Sequence, residues 1–252
     1  MPHDELLGLL LPFGAALCGG ALNSVAGGGS FLTFPALIFA GVPPLAANAT
    51  STVALWPGSV ASTVGYRREL GSQRQRLTVM LPLSLLGGLI GAVTLVRTPP
   101  DLFVRLVPFL LLGATLIFTF GDRINKRLGG RARGAVAVGA LQLFISIYGG
   151  YFGGGMGLMM LAAFTLWGMT HLHEMNALKS ALGVAINGVA IVAFAIAGQI
   201  QWQHGAVMIA GAIIGGFGGA WLARRYDSKK VKPFVIALGW AMTAVFFWRL
   251  LR

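Results

Sequence analysis

The chain has 252 residues, 56% hydrophobic and only 10% charged, with a mean hydropathy of +0.77. Soluble domains carry about 25% charged residues, so the composition argues against a soluble enzyme, a nucleic-acid binder and a disordered scaffold. The single Cys18 leaves no disulfide framework and no Cys-rich metal site.

In chain order, the opening stretch Met1–Leu7 has no Lys or Arg and carries Asp4 and Glu5. It lacks the basic start of a signal peptide and allows an N-terminus outside the cytoplasm. Leu6–Gly41 is apolar but interrupted at Gly27–Gly28–Gly29, and Ala49–Tyr66 follows a neutral turn. Leu77–Val96 and Leu102–Phe120 each approach the roughly 20 residues that cross a bilayer. Gly134–Gly168 is a second interrupted stretch, broken at Gly153–Gly154–Gly155. Ala177–Ala197, Gly205–Ala223 and Val235–Leu250 complete the apolar runs.

The net charge of +12 is concentrated in three gaps. Arg67, Arg68, Arg74 and Arg76 lie in the first, and Arg123, Lys126, Arg127, Arg131 and Arg133 in the second. Arg224, Arg225, Lys229, Lys230 and Lys232 lie in the third. The gaps Gly41–Ala47, Thr98–Leu102 and Gly198–His204 hold no cation. Alternation of basic and neutral loops is the signature of a multi-pass membrane protein with its basic loops in the cytoplasm. That placement fixes each crossing's direction and puts both termini outside. It also makes Leu6–Gly41 and Gly134–Gly168 begin and end on one side. Their second arms, Phe31–Ala40 and Leu158–Trp167, span only about 15–18 Å as helices, against a hydrocarbon core of ~30 Å. Each stretch is therefore expected to be a helical hairpin turning inside the membrane. Two fully spanning, tilted helices give the same topology and stay open as the alternative.

The chain matches itself at an offset of 125 to 128 residues. Gly27–Gly29 aligns with Gly153–Gly155, Asn48–Ala49 with Asn176–Ala177, and Gly87–Gly88 and Gly91–Ala92 with Gly215–Gly216 and Gly219–Ala220. Pro108–Phe109 and Gly113 align with Pro233–Phe234 and Gly239. One hairpin plus three crossings is an odd count, so the second copy is inverted. The expected architecture is an all-α polytopic membrane protein of two inverted-topology repeats, 1–127 and 128–252. Each repeat is a glycine-broken helical hairpin plus three transmembrane helices. Secondary transporters have this design, with substrate near the midplane between repeats.

A helix N-terminus offers unpaired N–H groups and about half a positive charge. Two such ends, at Ser30 and Met156, would form a small anion site, with the glycines allowing close backbone approach. The alternative is that the glycines serve only helix packing, which is the stronger reading for Gly87–Gly91 and Gly215–Gly219. The expected substrate-binding set is Asn23, Ser24, Gly27, Gly28, Gly29 and Ser30 at the first break, and Asn48, Thr50, Ser51 and Thr52 beyond it. Gly153, Gly154, Gly155, Asn176, Lys179 and Ser180 are its counterparts, with Asn187 further in. Lys179 either faces the site, as intramembrane ionisable residues do by default, or snorkels to the interface. No carboxylate lies mid-helix, which disfavours a cation cargo. His171, His173 and Glu174 have no partner ligands elsewhere, so no metal, cofactor or catalytic centre is expected.

The string Leu22-Asn-Ser-Val-Ala-Gly-Gly-Gly-Ser-Phe-Leu-Thr-Phe-Pro35, followed by Ala46-Ala-Asn-Ala-Thr-Ser-Thr52, resembles the first-repeat signature of the sulfite exporter TauE/SafE family of membrane permeases. Tyr151-Phe-Gly-Gly-Gly-Met-Gly157 with Asn176-Ala-Leu-Lys179 is similar to its second-repeat counterpart, and the resemblance covers essentially the whole chain. It implies a permease for sulfite, thiosulfate or an organosulfonate in the bacterial inner membrane, not an enzyme. By motif match, the positions around Gly27–Ser30, Asn48–Thr52, Gly153–Gly155 and Asn176–Ser180 line the path. The chain departs from the family pattern at Leu178-Lys179-Ser180, where Thr-Ser is common, which implies an altered charge preference. The implied partners are a small anion and the lipid bilayer. An anion channel and a non-transporting membrane scaffold stand as alternatives, and the sequence leaves oligomeric state open.

Overall fold

A computed structural model describes residues 2–25, 28–128, 134–223 and 231–251. Among the described residues the chain forms eleven α-helices and no strand. They are α1 (Pro2–Val25), α2 (Ser30–Phe39), α3 (Pro44–Gly65), α4 (Arg67–Ser72), α5 (Arg74–Arg97), α6 (Pro100–Leu128), α7 (Ala135–Tyr151), α8 (Met156–Leu166), α9 (Leu172–Ile196), α10 (Trp202–Ala223) and α11 (Val231–Leu250). Helices α5, α9 and the Pro100–Ile117 portion of α6 are long and apolar enough to cross a membrane. They coincide with the apolar runs Leu77–Val96, Ala177–Ala197 and Leu102–Phe120.

The two interrupted stretches are each a long helix followed by a short one. The arms α2 and α8 have 10 and 11 residues, about 15–17 Å. Their breaks are built on left-handed glycines: Gly28 has φ +93°, Gly153 +76° and Gly155 +78°. An L side chain is strained at such angles, which is why glycine occupies these positions. Both arms are largely covered by the rest of the bundle, with Phe39 of α2 and Thr165 of α8 exposed near their ends. Phe31, Thr33, Phe34, Pro35, Ala36 and Leu37 of α2 are buried, as are Met156, Met160, Ala163 and Phe164 of α8. Broken backbone in a membrane protein must be covered by protein or line a cavity, since an unpaired amide in hydrocarbon costs several kcal/mol.

Helix pairing is reciprocal. Helix α1 lies along α10 and α7 along α5, while α3 packs on α10 and α9 on α5. Helices α3 and α9 pack on each other, as do α6 and α11. The close approaches depend on the glycines of α5 and α10. A Cβ at Gly91 would fall on the Ile147 carbonyl of α7, and one at Gly215 on the Leu17 carbonyl of α1. These glycines are packing devices, as small residues on membrane helices commonly are.

The apolar interior has two clusters. In one, the Phe34 ring of α2 meets Phe103, Phe152 and Phe246 at 6.5, 5.5 and 5.8 Å, joining α2, α6, α11 and the second break. In the other, Met160 and Phe164 of α8 pack with Met80, Ile145, Leu178 and Ile186.

Several expected boundaries move. Helix α3 starts at Pro44 rather than after Asn48, with Pro43 as its cap and proline in its first turn, where the missing N–H costs nothing. The first basic gap is largely helical, as α4 and the start of α5. Helix α6 continues to Leu128 and carries Arg123, Lys126 and Arg127 in its last turns. Arg131, Arg133, Arg224, Arg225, Lys229 and Lys230, together with both chain ends, lie outside the described residues.

Candidate functional site

Helices α3 and α9 cross between the two breaks, and each has one polar face. On α3, Thr52, Leu55, Ser59 and Ser62 follow at steps of three and four residues, so they share a side of the helix. On α9, Ser180, Gly183 and Asn187 do the same, and Lys179 lies one turn before Gly183 beside Ser180. These faces line a cavity of about 60 Å³ to which both breaks contribute: Gly28 and Ser30 from the first, Gly153, Met156 and Gly157 from the second. Gly20, Asn23, Ser24 and Gly58 complete the wall. A site that needs roughly 10–15 Å³ per water has room here for a few heavy atoms.

The cavity contains more hydroxyls than free donors. Ser24 donates to the Ala21 carbonyl at 2.8 Å, Thr52 to Asn48 at 2.9 Å and Ser59 to Leu55 at 3.3 Å. Asn23 Nδ2 donates to Ser59 Oγ at 3.3 Å, and the Ser62 and Ser180 hydroxyls share a 3.1 Å bond across α3 and α9. Lys179 is 7% exposed, lines the cavity, and has no hydrogen bond or ion pair among the described residues. Its neighbours on the wall include no carboxylate. A buried ammonium without a counter-charge, beside two helix N-termini, makes the cavity electropositive.

Of the expected site residues, Asn23, Ser24, Gly28, Ser30, Thr52, Gly153, Lys179 and Ser180 are brought together on this wall. Asn48, Thr50 and Ser51 are not, although they are buried. Asn48 Nδ2 donates to the Tyr151 carbonyl at 3.1 Å, on the last residue of α7 before the second break. The Gln201 N–H donates to Thr50 Oγ1 at 3.0 Å, and Ser51 shares a 2.6 Å hydroxyl bond with Thr33 of α2. Gly29 packs against Gly19 of α1, Gly155 against Ala114 of α6 and Gly154 beside the Phe152 ring. Asn176 is buried with Oδ1 unpartnered and is absent from the cavity wall. Gly27 lies outside the described residues.

Sequence reasoning missed Ser59 and Ser62, which continue the stripe begun by Thr52. Extending that stripe at helical spacing down α3 would have found them. It also missed Trp56, whose Nε1–H donates to the Val184 carbonyl at 3.0 Å and ties α3 to α9. His171 and His173 are exposed. Glu174 accepts from Gln73 Nε2 at 2.7 Å, and Gln73 in turn accepts from Arg76 at 2.6 Å. No group of three metal-ligating side chains occurs among the described residues.

The family model described as sulfite exporter TauE/SafE matches residues 12–246. The chain belongs to that family. This TauE/SafE chain is 28% identical over 225 residues to a probable membrane transporter protein of Haemophilus influenzae, covering 88% of each chain. It is 28% identical over 252 residues to the probable membrane transporter protein YfcA of Escherichia coli K12, covering 97% of this chain and 90% of that one. It is 30% identical over 232 residues to the probable membrane transporter protein ORF9 of a Sinorhizobium species, covering 91% and 88%. No solved structure matches the chain. The TauE/SafE match spans both glycine breaks and all the cavity-lining residues.

Proposed function

We propose that this protein is a secondary transporter that moves a small sulfur-containing anion across the inner membrane, with sulfite, thiosulfate and organosulfonates as the candidate cargo. The cargo binds near the midplane, between the two glycine-broken hairpins. One observation carries this reading: both breaks, two helix N-termini and the unpaired Lys179 ammonium face one cavity with no acid on its wall. An anion supplies the missing counter-charge.

The transport mechanism rests on residues 1–127 and 128–252 acting as inverted repeats. Reciprocal helix pairing supports this, because exchanging α1, α3 and α5 for α7, α9 and α10 reproduces the same contacts. Residues 128 apart also meet. Thr115 and Thr243 lie 3.5 Å apart, and Trp56 bonds Val184, as expected where a pseudo-twofold axis passes. Rocking of one half against the other about that axis exposes the cavity to either side in turn. The basic segments at 67–76, 123–133 and 224–232 face the cytoplasm in this reading, and both termini face away from it.

The test is uptake by proteoliposomes of radiolabelled sulfite, thiosulfate and taurine, with sulfate and chloride as competitors. Saturable flux of one of the sulfur anions is expected, lost in Lys179→Ala. Flux that never saturates, or none for any sulfur anion, overturns the reading.

A further inference from the structure

A second cavity, about 550 Å³ in volume, lies between α5 and α9 and away from the transport site. Its walls are Leu89, Val93 and Val96 of α5 and Gly188, Val189, Val192, Ala193, Ile196 and Ala197 of α9, with Arg97 at one end. The walls are otherwise aliphatic, and the groove opens sideways, because Leu89, Val192 and Ile196 are 47%, 59% and 83% exposed. Both helices end at the Arg97 end. From there the groove runs back along the last nine or ten residues of each, about 12–14 Å. That is close to half of the ~30 Å hydrocarbon core, the depth of one leaflet.

Arg97 is the second observation. It lies beside the cation-free Thr98–Leu102 turn, on the side away from the basic loops, so the orientation rule does not explain it. It is exposed and has no ion pair or hydrogen bond among the described residues. We propose that this groove is a binding site for one phospholipid of the leaflet facing away from the basic loops, its acyl chain lying between α5 and α9 and its phosphate held by Arg97. The guanidinium fork matches a phosphate geometrically and charge for charge. A twofold-related copy of the chain is a poor occupant, since an isologous contact brings its own Arg97 to the same rim. The lipid wedges the side of α9 opposite Lys179 and Asn187.

The test uses the full chain, purified and stripped of lipid, titrated with dioleoylphosphatidylglycerol or with dioleoylglycerol, which has the same chains and no phosphate. Native mass spectrometry counts bound lipid. One phosphatidylglycerol is expected to bind in preference to dioleoylglycerol. Arg97→Gln weakens that binding by about tenfold, the order expected of one charge-assisted contact. Ala193→Trp, which fills the groove, abolishes the one-to-one complex, and Phe217→Trp on the exposed face of α10 leaves it intact. Equal binding of the two lipids, unchanged affinity in Arg97→Gln, or a dimer that Ala193→Trp dissociates each overturns the proposal. None of these readouts depends on which anion is transported.

Discussion

Replacing Lys179 tests the proposed anion site most directly. The ammonium is 7% exposed and shares its cavity with no acid, so in the empty protein it is a desolvated charge without a partner. A bound anion converts that cost into a charge-assisted contact of about 1.5–3 kcal/mol, equivalent to roughly 10- to 150-fold in affinity. The readout is the anion-dependent shift in thermal unfolding of purified protein. At an anion concentration of 100 times the wild-type dissociation constant, binding adds about 2.7 kcal/mol. A tenfold loss of affinity in Lys179→Met reduces the gain to about 1.4 kcal/mol, and a hundredfold loss to about 0.4 kcal/mol. Lys179→Met should also unfold at a higher temperature than wild type without anion, because the desolvated charge is gone and the aliphatic stem remains. Lys179→Arg should retain part of the shift. If Lys179→Met keeps the full anion-dependent shift, Lys179 is not the counter-charge, and recognition falls to the helix ends, Ser30 and Asn187.

Two further outcomes follow from the geometry. Gly155→Ala should destabilise the protein by about 1–3 kcal/mol, because a side chain is strained at φ +78° and its Cβ would lie 2.9 Å from Ala114 Cβ; denaturant titration reads the loss, and wild-type stability would contradict this description of the break. Single cysteines at positions 3 and 71, in a Cys18→Ser background, should label oppositely with an impermeant maleimide in spheroplasts, position 3 reacting and position 71 protected. Labelling on the same side would break the assigned topology.

The helices were legible in the sequence because their apolar runs and glycine breaks are one-dimensional signals. The break positions, the short arms and the packing role of Gly91 and Gly215 all follow from spacing alone. Charge was a poorer guide to local structure. Reading the Arg67–Arg76 gap as a loop overlooked α4, since charged residues form helices readily when they lie outside the membrane. The site was half legible for a geometric reason. Grouping Asn48, Thr50, Ser51 and Thr52 by adjacency ignores the ~100° turn between successive helical residues. Thr50 and Ser51 consequently face Gln201 and Thr33, while Ser59 and Ser62, farther along the chain, face the cavity. Pairing across the interior, such as Trp56 with Val184, has no trace in local sequence.

Asn48 shows how motif membership and ligand contact separate. It stands on the same stripe of α3 as Thr52, one turn nearer the helix start, which carries it past the cavity to the end of α7. The chain breaks there, so the Tyr151 carbonyl is one of the orphan acceptors of a helix C-terminus, and the Asn48 amide satisfies it at 3.1 Å. On this account Asn48→Ala leaves a carbonyl unpaired and costs about 1–3 kcal/mol of stability. Asn48→Asp costs more, since a carboxylate cannot donate and its charge would face the carbonyl oxygen. Both variants should retain the anion-induced shift, scaled only by any loss of folded protein. A ligand-contacting asparagine gives the reverse pattern, with normal stability in the absence of anion and a collapsed shift in its presence. Measuring denaturant stability and the anion shift on Asn48→Ala, with Lys179→Met as the binding-deficient reference, separates the two roles. Should Asn48→Ala behave like Lys179→Met, the cargo reaches as far as the α7 terminus and the site extends beyond the cavity between α3 and α9.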